Sequence, residues 1–118
     1  MQARAEARYL RTSPQKARLV IDLIRGRDVN EAYAVLSFSK KHAAKQVAKT
    51  LKSAVSNAEQ KALQSNEPFD VDRLQVTRAI VNAGQTLKRF TAAAQGRGTP
   101  IRKRTSHVVI VVAMREEA

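Results

Sequence analysis

Hydrophobic and polar positions change their period twice along this chain. Residues 3–11, "ARAEARYLR", alternate loosely, with Ala5, Ala7 and Tyr9 on one face and Arg4, Glu6 and Arg8 on the other. That spacing predicts a short strand. A helical period follows. Ser13 is placed to cap a helix, and Pro14 falls at the first helical position, where a missing N–H costs nothing. Ala17, Val20, Ile21 and Ile24 then fall on one helical face, and Gly26 supplies the stop. Asp28 and Glu31 have the spacing of a capping box, with Val29, Ala32, Tyr33 and Leu36 as the apolar stripe of a second helix. Ser39 opens a third and longer helix, to about Ser65, that would run roughly 38 Å. Ala44, Val47, Leu51, Val55, Ala58 and Ala62 form its apolar side. Lys41, Lys45, Lys49 and Lys52 form a second stripe about 100° round. Pro68 ends the helical region.

From Val71 the period returns to two. "RLQVTRAIVNAG" is rich in β-branched residues and puts Leu74, Val76 and Ile80 on one face. "HVVIVVAM" is nearly all apolar, which predicts a strand covered on both faces or lying at the centre of a sheet. The order β-α-α-α-β-β points to an α+β fold, a small three-stranded antiparallel sheet packed against three helices. The 118 residues fit a single domain, 1–118. Within it a body, 1–84 and 106–118, would carry an arm at about 85–105.

That arm is the anomaly in the pattern. Hairpin loops ordinarily take about two to five residues, and a long structureless connection inside a compact domain is suspect. Two readings fit residues 85–105. Either the segment is disordered, or both strands continue outward as a long protruding β-hairpin. With about ten residues per leg at ~3.3 Å each, such a hairpin would reach roughly 33 Å. Gly96 and Gly98 flank Arg97 and permit a turn with positive φ. Leu87, Phe90 and Ile101 are too few apolar residues to hold an isolated ribbon together in water, so the arm needs a partner surface.

Charge says what that surface is. The chain has 22 Lys plus Arg against 10 Asp plus Glu, a net charge of +12. Residues 73–115 contain no acid at all. A merely solvated face interleaves both signs. An acid-free stretch with an overlong hairpin points to a polyanion, met mostly through its phosphates, with Arg also able to lie flat on an exposed base.

Other classes lack material. There is no cysteine, hence no disulfide, thiolate metal site or cysteine nucleophile. His42 and His107 make no metal set, and no Gly-rich phosphate loop follows a strand into a helix. Ser106 and His107 are sequence neighbours on a strand and face opposite ways, which argues against a catalytic pair. We therefore expect no enzyme, no cofactor, no metal and no small-molecule substrate. The first residues lack an apolar signal core, and "VVIVVAM" is too short to span a bilayer. The third helix has no aromatic anchor for a lipid surface, so no membrane partner is expected. A winged helix-turn-helix on DNA is the competing nucleic-acid reading. Its second helix would begin with Asp28 and carry Glu31, which repel phosphate. Asp22 is expected to pair with Arg18 or Arg25.

Four blocks carry a resemblance. "RYLRTSPQKARLVIDLIRGRDVNEA", "VAKTLKSAVSNAE", "GQTLKRF" and "GRGTPIRKRTSHVVIVV" resemble, in order and over nearly the whole chain, the L twenty-two family of bacterial large-subunit ribosomal proteins. The resemblance implies a cytoplasmic protein of the large ribosomal subunit, with a small body at the outer face near the mouth of the nascent-chain tunnel. A long β-hairpin would run inward to the tunnel wall. The implied partners are several domains of large-subunit ribosomal RNA, neighbouring ribosomal proteins, and the nascent polypeptide at the hairpin tip. The implied RNA-binding residues are Arg11, Ser13, Lys16, Arg18 and Arg25 in the first block, and Lys88, Arg89, Arg97, Arg102, Lys103, Arg104, Thr105, Ser106 and His107 in the arm. Thr91, Ala92, Ala93, Ala94, Gln95, Gly96, Arg97 and Gly98 would form the tip. The family commonly shows P-R-A-x-G-R-A at the tip. Here "AAAQGRG" keeps Arg97 but puts Ala92, Ala93 and Gln95 in place of a proline and basic side chains, so the resemblance does not by itself assign macrolide-related or stalling contacts to this tip.

Overall fold

The richest β-branched run of the chain forms its central strand. In the computed structural model, which describes residues 2–92, 96 and 98–114 (backbone alone at 89–92 and 99–101), β3 (Gly98–Met114) lies between β1 (Gln2–Leu10) and β2 (Leu74–Ala92). Both neighbours pair with it antiparallel. Of the two readings of "HVVIVVAM", the sheet centre is the one observed. Val108, Ile110 and Val112 are fully buried on one face, while Val109 and Val111 on the other are half-buried.

Three helices cover the buried face: α1 (Pro14–Ile24), α2 (Val29–Phe38) and α3 (Ala43–Ser65). Ser13 caps α1 by accepting the Lys16 N–H at 3.3 Å, and Gly26 takes a φ of 78° just beyond its end. Ala17, Val20, Ile21 and Ile24 are all fully buried, as the helical period predicts. On α3 the buried residues are largely small (Ala43, Ala44, Ala54, Ala58 and Ala62), so the helix backbone lies close to the sheet, with Val47 and Leu51 filling between. Two helix starts differ from expectation. Asp28 precedes α2 but its side chain makes no capping bond. The Ser39 hydroxyl accepts from the Lys41 N–H in a local turn, and α3 begins only at Ala43. Such side-chain bonds compete with helix initiation.

Two strand faces also differ, for one reason. Register shifts interrupt β1 between Ala7 and Leu10 and β2 between Val76 and Arg78. Each bulge inserts a residue and flips the alternation beyond it. Ala3 and Ala5 are buried, but Tyr9, with a left-handed φ of 57°, turns outward and is 62% exposed. On β2, Leu74 and Val76 are buried, but Ala79 and Val81 take over the core face, and Ile80 stands half-buried on the other.

Beyond the helices, β2 and β3 continue as a two-stranded ribbon. Pairing persists from Thr86↔Arg104 out to Ala92↔Gly98, and Gly96 in the connection has a φ of 72°. The extended reading is thus the one the fold adopts over the described arm residues, 85–92 and 98–105. The molecule measures 67 × 27 × 19 Å, and its radius of gyration is 17.7 Å. A compact chain of this length would have about 13.5 Å.

Candidate nucleic-acid interface

The arm presents cations on both faces. Lys88 pairs with Arg102, Leu87 with Lys103 and Thr86 with Arg104. Directly paired residues share a face, so Lys88, Arg102 and Arg104 line one side of the ribbon and Lys103 the other. Lys88, Arg102, Lys103 and Arg104 are all exposed. The sequence of this region holds no acid, which suits a surface approached by phosphates. Arg89 pairs with Ile101 and Thr91 with Thr99 through the backbone, which carries the ladder towards the tip. Ala93, Ala94, Gln95 and Arg97 lie outside the described residues.

At its root the ribbon meets the start of α1. There a cleft of about 840 Å³ gathers Arg11, Ser13 and Lys16 from the body with Arg102, Lys103, Arg104 and Thr105 from the arm. Tyr9, Thr12, His42, Gln85 and Leu87 also line it, and no acid is among its described lining residues. The fold thus brings two blocks far apart in sequence into one basic surface.

The root is built by three contacts. The Thr105 hydroxyl donates to the Gln85 carbonyl at 2.6 Å across the second β2 shift, between Ala83 and Thr86. The Tyr9 N–H donates to Nδ1 of His107 at 3.1 Å. The two rings meet nearly perpendicularly, with centroids 4.9 Å apart and an interplanar angle of 86°. His107, half-buried, is therefore an internal fastener of the root through Nδ1. Ser106 is fully buried on the core side, and its hydroxyl has no hydrogen-bond partner among the described residues. Among the expected arm contacts whose side chains are described, it is the one that a solute cannot reach without opening the root.

Arg18 and Arg25 do something different from Arg11 and Lys16. Arg18 Nη2 donates to the Val81 carbonyl at 3.1 Å. Arg25 donates to the Ala79 carbonyl through Nε at 3.2 Å and Nη2 at 2.9 Å, while its Nη1 pairs with Asp22 at 2.8 Å. β2 is an edge strand, and these carbonyls belong to its otherwise open side. Backbone bonds from Gly26 N–H to Val76 O and from Val76 N–H to Arg27 O close the same edge. The two arginines thus pin α1 to the sheet and satisfy an edge that would otherwise invite pairing.

The surface of α2 is poorly suited to reading DNA. Asn30 donates to Asp72 at 2.8 Å, and Glu31 sits 3.9 Å from Arg27. Its one side chain suited to base reading is thus already engaged. Among the described residues no group of three or more His, Cys, Asp or Glu is placed to hold a metal ion, and no helix is long and apolar enough to cross a membrane.

The sequence profile of the family described as Ribosomal protein L22p/L17e matches residues 5–113. The chain belongs to that family. Among its similar relatives is a protein of Clostridium novyi (strain NT) named large ribosomal subunit protein uL22, 52% identical over 115 residues that cover 98% of this chain and 99% of the relative. The protein of the same name from Bifidobacterium longum (strain DJO10A) is 49% identical over 118 residues, covering 100% and 99%. That of Oceanobacillus iheyensis is 49% identical over 117 residues, covering 99% of each.

In this L22p/L17e chain, Tyr9, Gly84, Gln85 and His42 belong to the arm root but carry no signal in the sequence that marks them. Tyr9 reads as an inward strand residue until the bulge is known. Gly84 and Gln85 fall at the second shift. His42 is isolated in sequence and joins the cleft only through the fold.

Proposed function

We propose that this protein is a structural constituent of the large ribosomal subunit without a catalytic role. Its body and arm bind large-subunit ribosomal RNA in several domains and support RNA assembly beside neighbouring ribosomal proteins. The hairpin lies in the wall of the nascent polypeptide exit tunnel, where its tip, residues 91–98, meets the emerging chain. The protein acts as one domain, 1–118, in which the arm at about 85–105 is the RNA-reaching part.

The observation that carries this reading is the arm itself. It is a paired ribbon that extends beyond all three helices, with exposed Lys88, Arg102, Lys103 and Arg104 and no acid in its sequence. A ribbon with so little apolar surface gains its stability from what it lies against, and its charge selects phosphate. The basic cleft at its root extends the same surface to Arg11 and Lys16. The small residues of "TAAAQGRGT" suit a narrow passage. The engaged Asn30 and the acids of α2 weigh against the DNA reading.

Co-sedimentation with large ribosomal subunits through a high-salt gradient tests the reading. The protein is expected to stay with the subunit, whereas a DNA regulator would wash off. Replacing Arg102, Lys103 and Arg104 together by Ala should weaken binding to isolated RNA and flatten its salt dependence. Each lost phosphate contact removes about 0.9 from the log–log slope on duplex, and less on single strands. The helical circular dichroism should not change. A salt slope near zero in the unaltered protein would sink the electrostatic account.

A further inference from the structure

We propose that the cleft at the arm root holds one unpaired nucleotide of the RNA, with its base stacked on Tyr9 and its phosphate held by the surrounding cations. The inference rests on the RNA-binding reading above and specifies the form of RNA that this part of the surface takes.

Tyr9 is the starting point. It has a φ of 57°, a region that residues with a Cβ rarely adopt. Its own N–H is tied across the sheet to Nδ1 of His107 at 3.1 Å, and a turn just after it is closed by Thr12 N–H to Leu10 O at 2.8 Å. The consequence is an aromatic ring turned out of the strand pattern and 62% exposed. His107 meets the ring perpendicularly at 4.9 Å, so the ring is buttressed from one side and open on another. A strained backbone that persists to present an exposed aromatic ring suggests a surface awaiting a flat partner.

The surroundings say which flat partner. Tyr9 lines the cleft with Arg11, Lys16, Arg102, Lys103 and Arg104. The cleft's volume of about 840 Å³ falls in the range of pockets that enclose ligands of nucleotide size. A phosphate alone would satisfy the cations and leave the ring in water. A planar apolar ligand alone would leave the cations unmatched. A nucleotide supplies both a π-face and a negative charge. Bases inside a duplex have their faces covered by neighbours, so a ring inside a concave site can stack only on a base that is out of the helix. Such stacking tolerates any base, because every base has a π-face.

The test uses the full chain and two RNA hairpins of equal stem length. One carries a single unpaired 2-aminopurine and the other is fully paired. The bulged hairpin should bind about fivefold or more tightly, and the 2-aminopurine fluorescence should be quenched on binding. Tyr9→Leu should abolish both the preference and the quench while still binding the paired hairpin. Tyr9→Phe, which keeps the ring, should retain both. Equal binding of the two hairpins by the unaltered protein, or a quench that survives Tyr9→Leu, overturns the inference and leaves RNA binding standing. Failure to bind either hairpin in a salt-dependent way overturns the RNA-binding reading, and this inference with it.

Discussion

Gly84 and Thr105 approach so closely across the arm root that a Cβ at position 84 would lie 2.5 Å from the Thr105 hydroxyl oxygen. It would also lie 3.1 Å from Nε2 of His107. The hydroxyl cannot swing aside freely, because it donates to the Gln85 carbonyl at 2.6 Å. Gly84→Ala should therefore destabilise the protein by about 1–3 kcal/mol, as overpacking does. Denaturant unfolding measures it. In a Thr105→Ala background the same change should cost clearly less, since the clashing oxygen is gone. Strict additivity of the two substitutions would show that the contact is not the cause.

Arg25 is a cation already engaged within the protein. It holds the Ala79 carbonyl through two donors and Asp22 through a third. Arg25→Ala should lower stability by about 1–2 kcal/mol, the scale of a lost hydrogen bond to a charged donor in a part-exposed setting. Lys cannot reproduce the forked contact, so Arg25→Lys should recover only part of it. RNA affinity should change less than twofold in either variant. A loss of RNA affinity as large as that of an Arg102→Ala variant, with stability unchanged, would return Arg25 to the RNA-facing set.

Such distinctions mark what the sequence could and could not supply. The helices were legible because Ala17, Val20, Ile21 and Ile24 repeat a period that packing does not alter. The arm was legible because the chain between Gly84 and Ser106 is too long and too basic for a turn. The faces of Tyr9 and Ile80 were not legible, because a bulge flips every later position and leaves no mark in composition. Nor can a charge count tell which arginines find partners inside the protein. Arg18 and Arg25 read like Arg11 and Lys16 in the sequence, and only the position of the β2 edge separates them.

Glu6 gives a pH prediction with a definite sign. It stands between Arg4 and Arg8, at 3.2 Å from each. The hydrogen bond from Arg8, then the charges of Arg8 and Arg4, hold its carboxyl below the usual glutamate range. A lowered folded-state pKa means that the unfolded chain binds more protons in that window. The stabilisation is thus fully present above the ordinary pKa, about 4.3, and is lost as pH falls through the lowered value. An NMR titration of the Glu6 carboxyl should show a midpoint below the ordinary one, moving upward in Arg8→Ala. A midpoint that ignores Arg8→Ala would remove the stated cause.

Ser106 closes the root from the core side. It is fully buried, paired in register with Leu10 and Ala83, and its hydroxyl lacks a partner among the described residues. An unsatisfied buried hydroxyl carries a desolvation penalty of about 1–3 kcal/mol, which its removal relieves. Ser106→Ala should accordingly leave stability unchanged or raise it slightly, and leave RNA affinity unchanged. Ser106→Val adds bulk to a packed site and should cost about 1–3 kcal/mol. Chemical denaturation and RNA titration of both variants decide the matter. If Ser106→Ala weakens RNA binding while its unfolding midpoint holds, the hydroxyl reaches RNA after all, and the arm root must open when the protein binds.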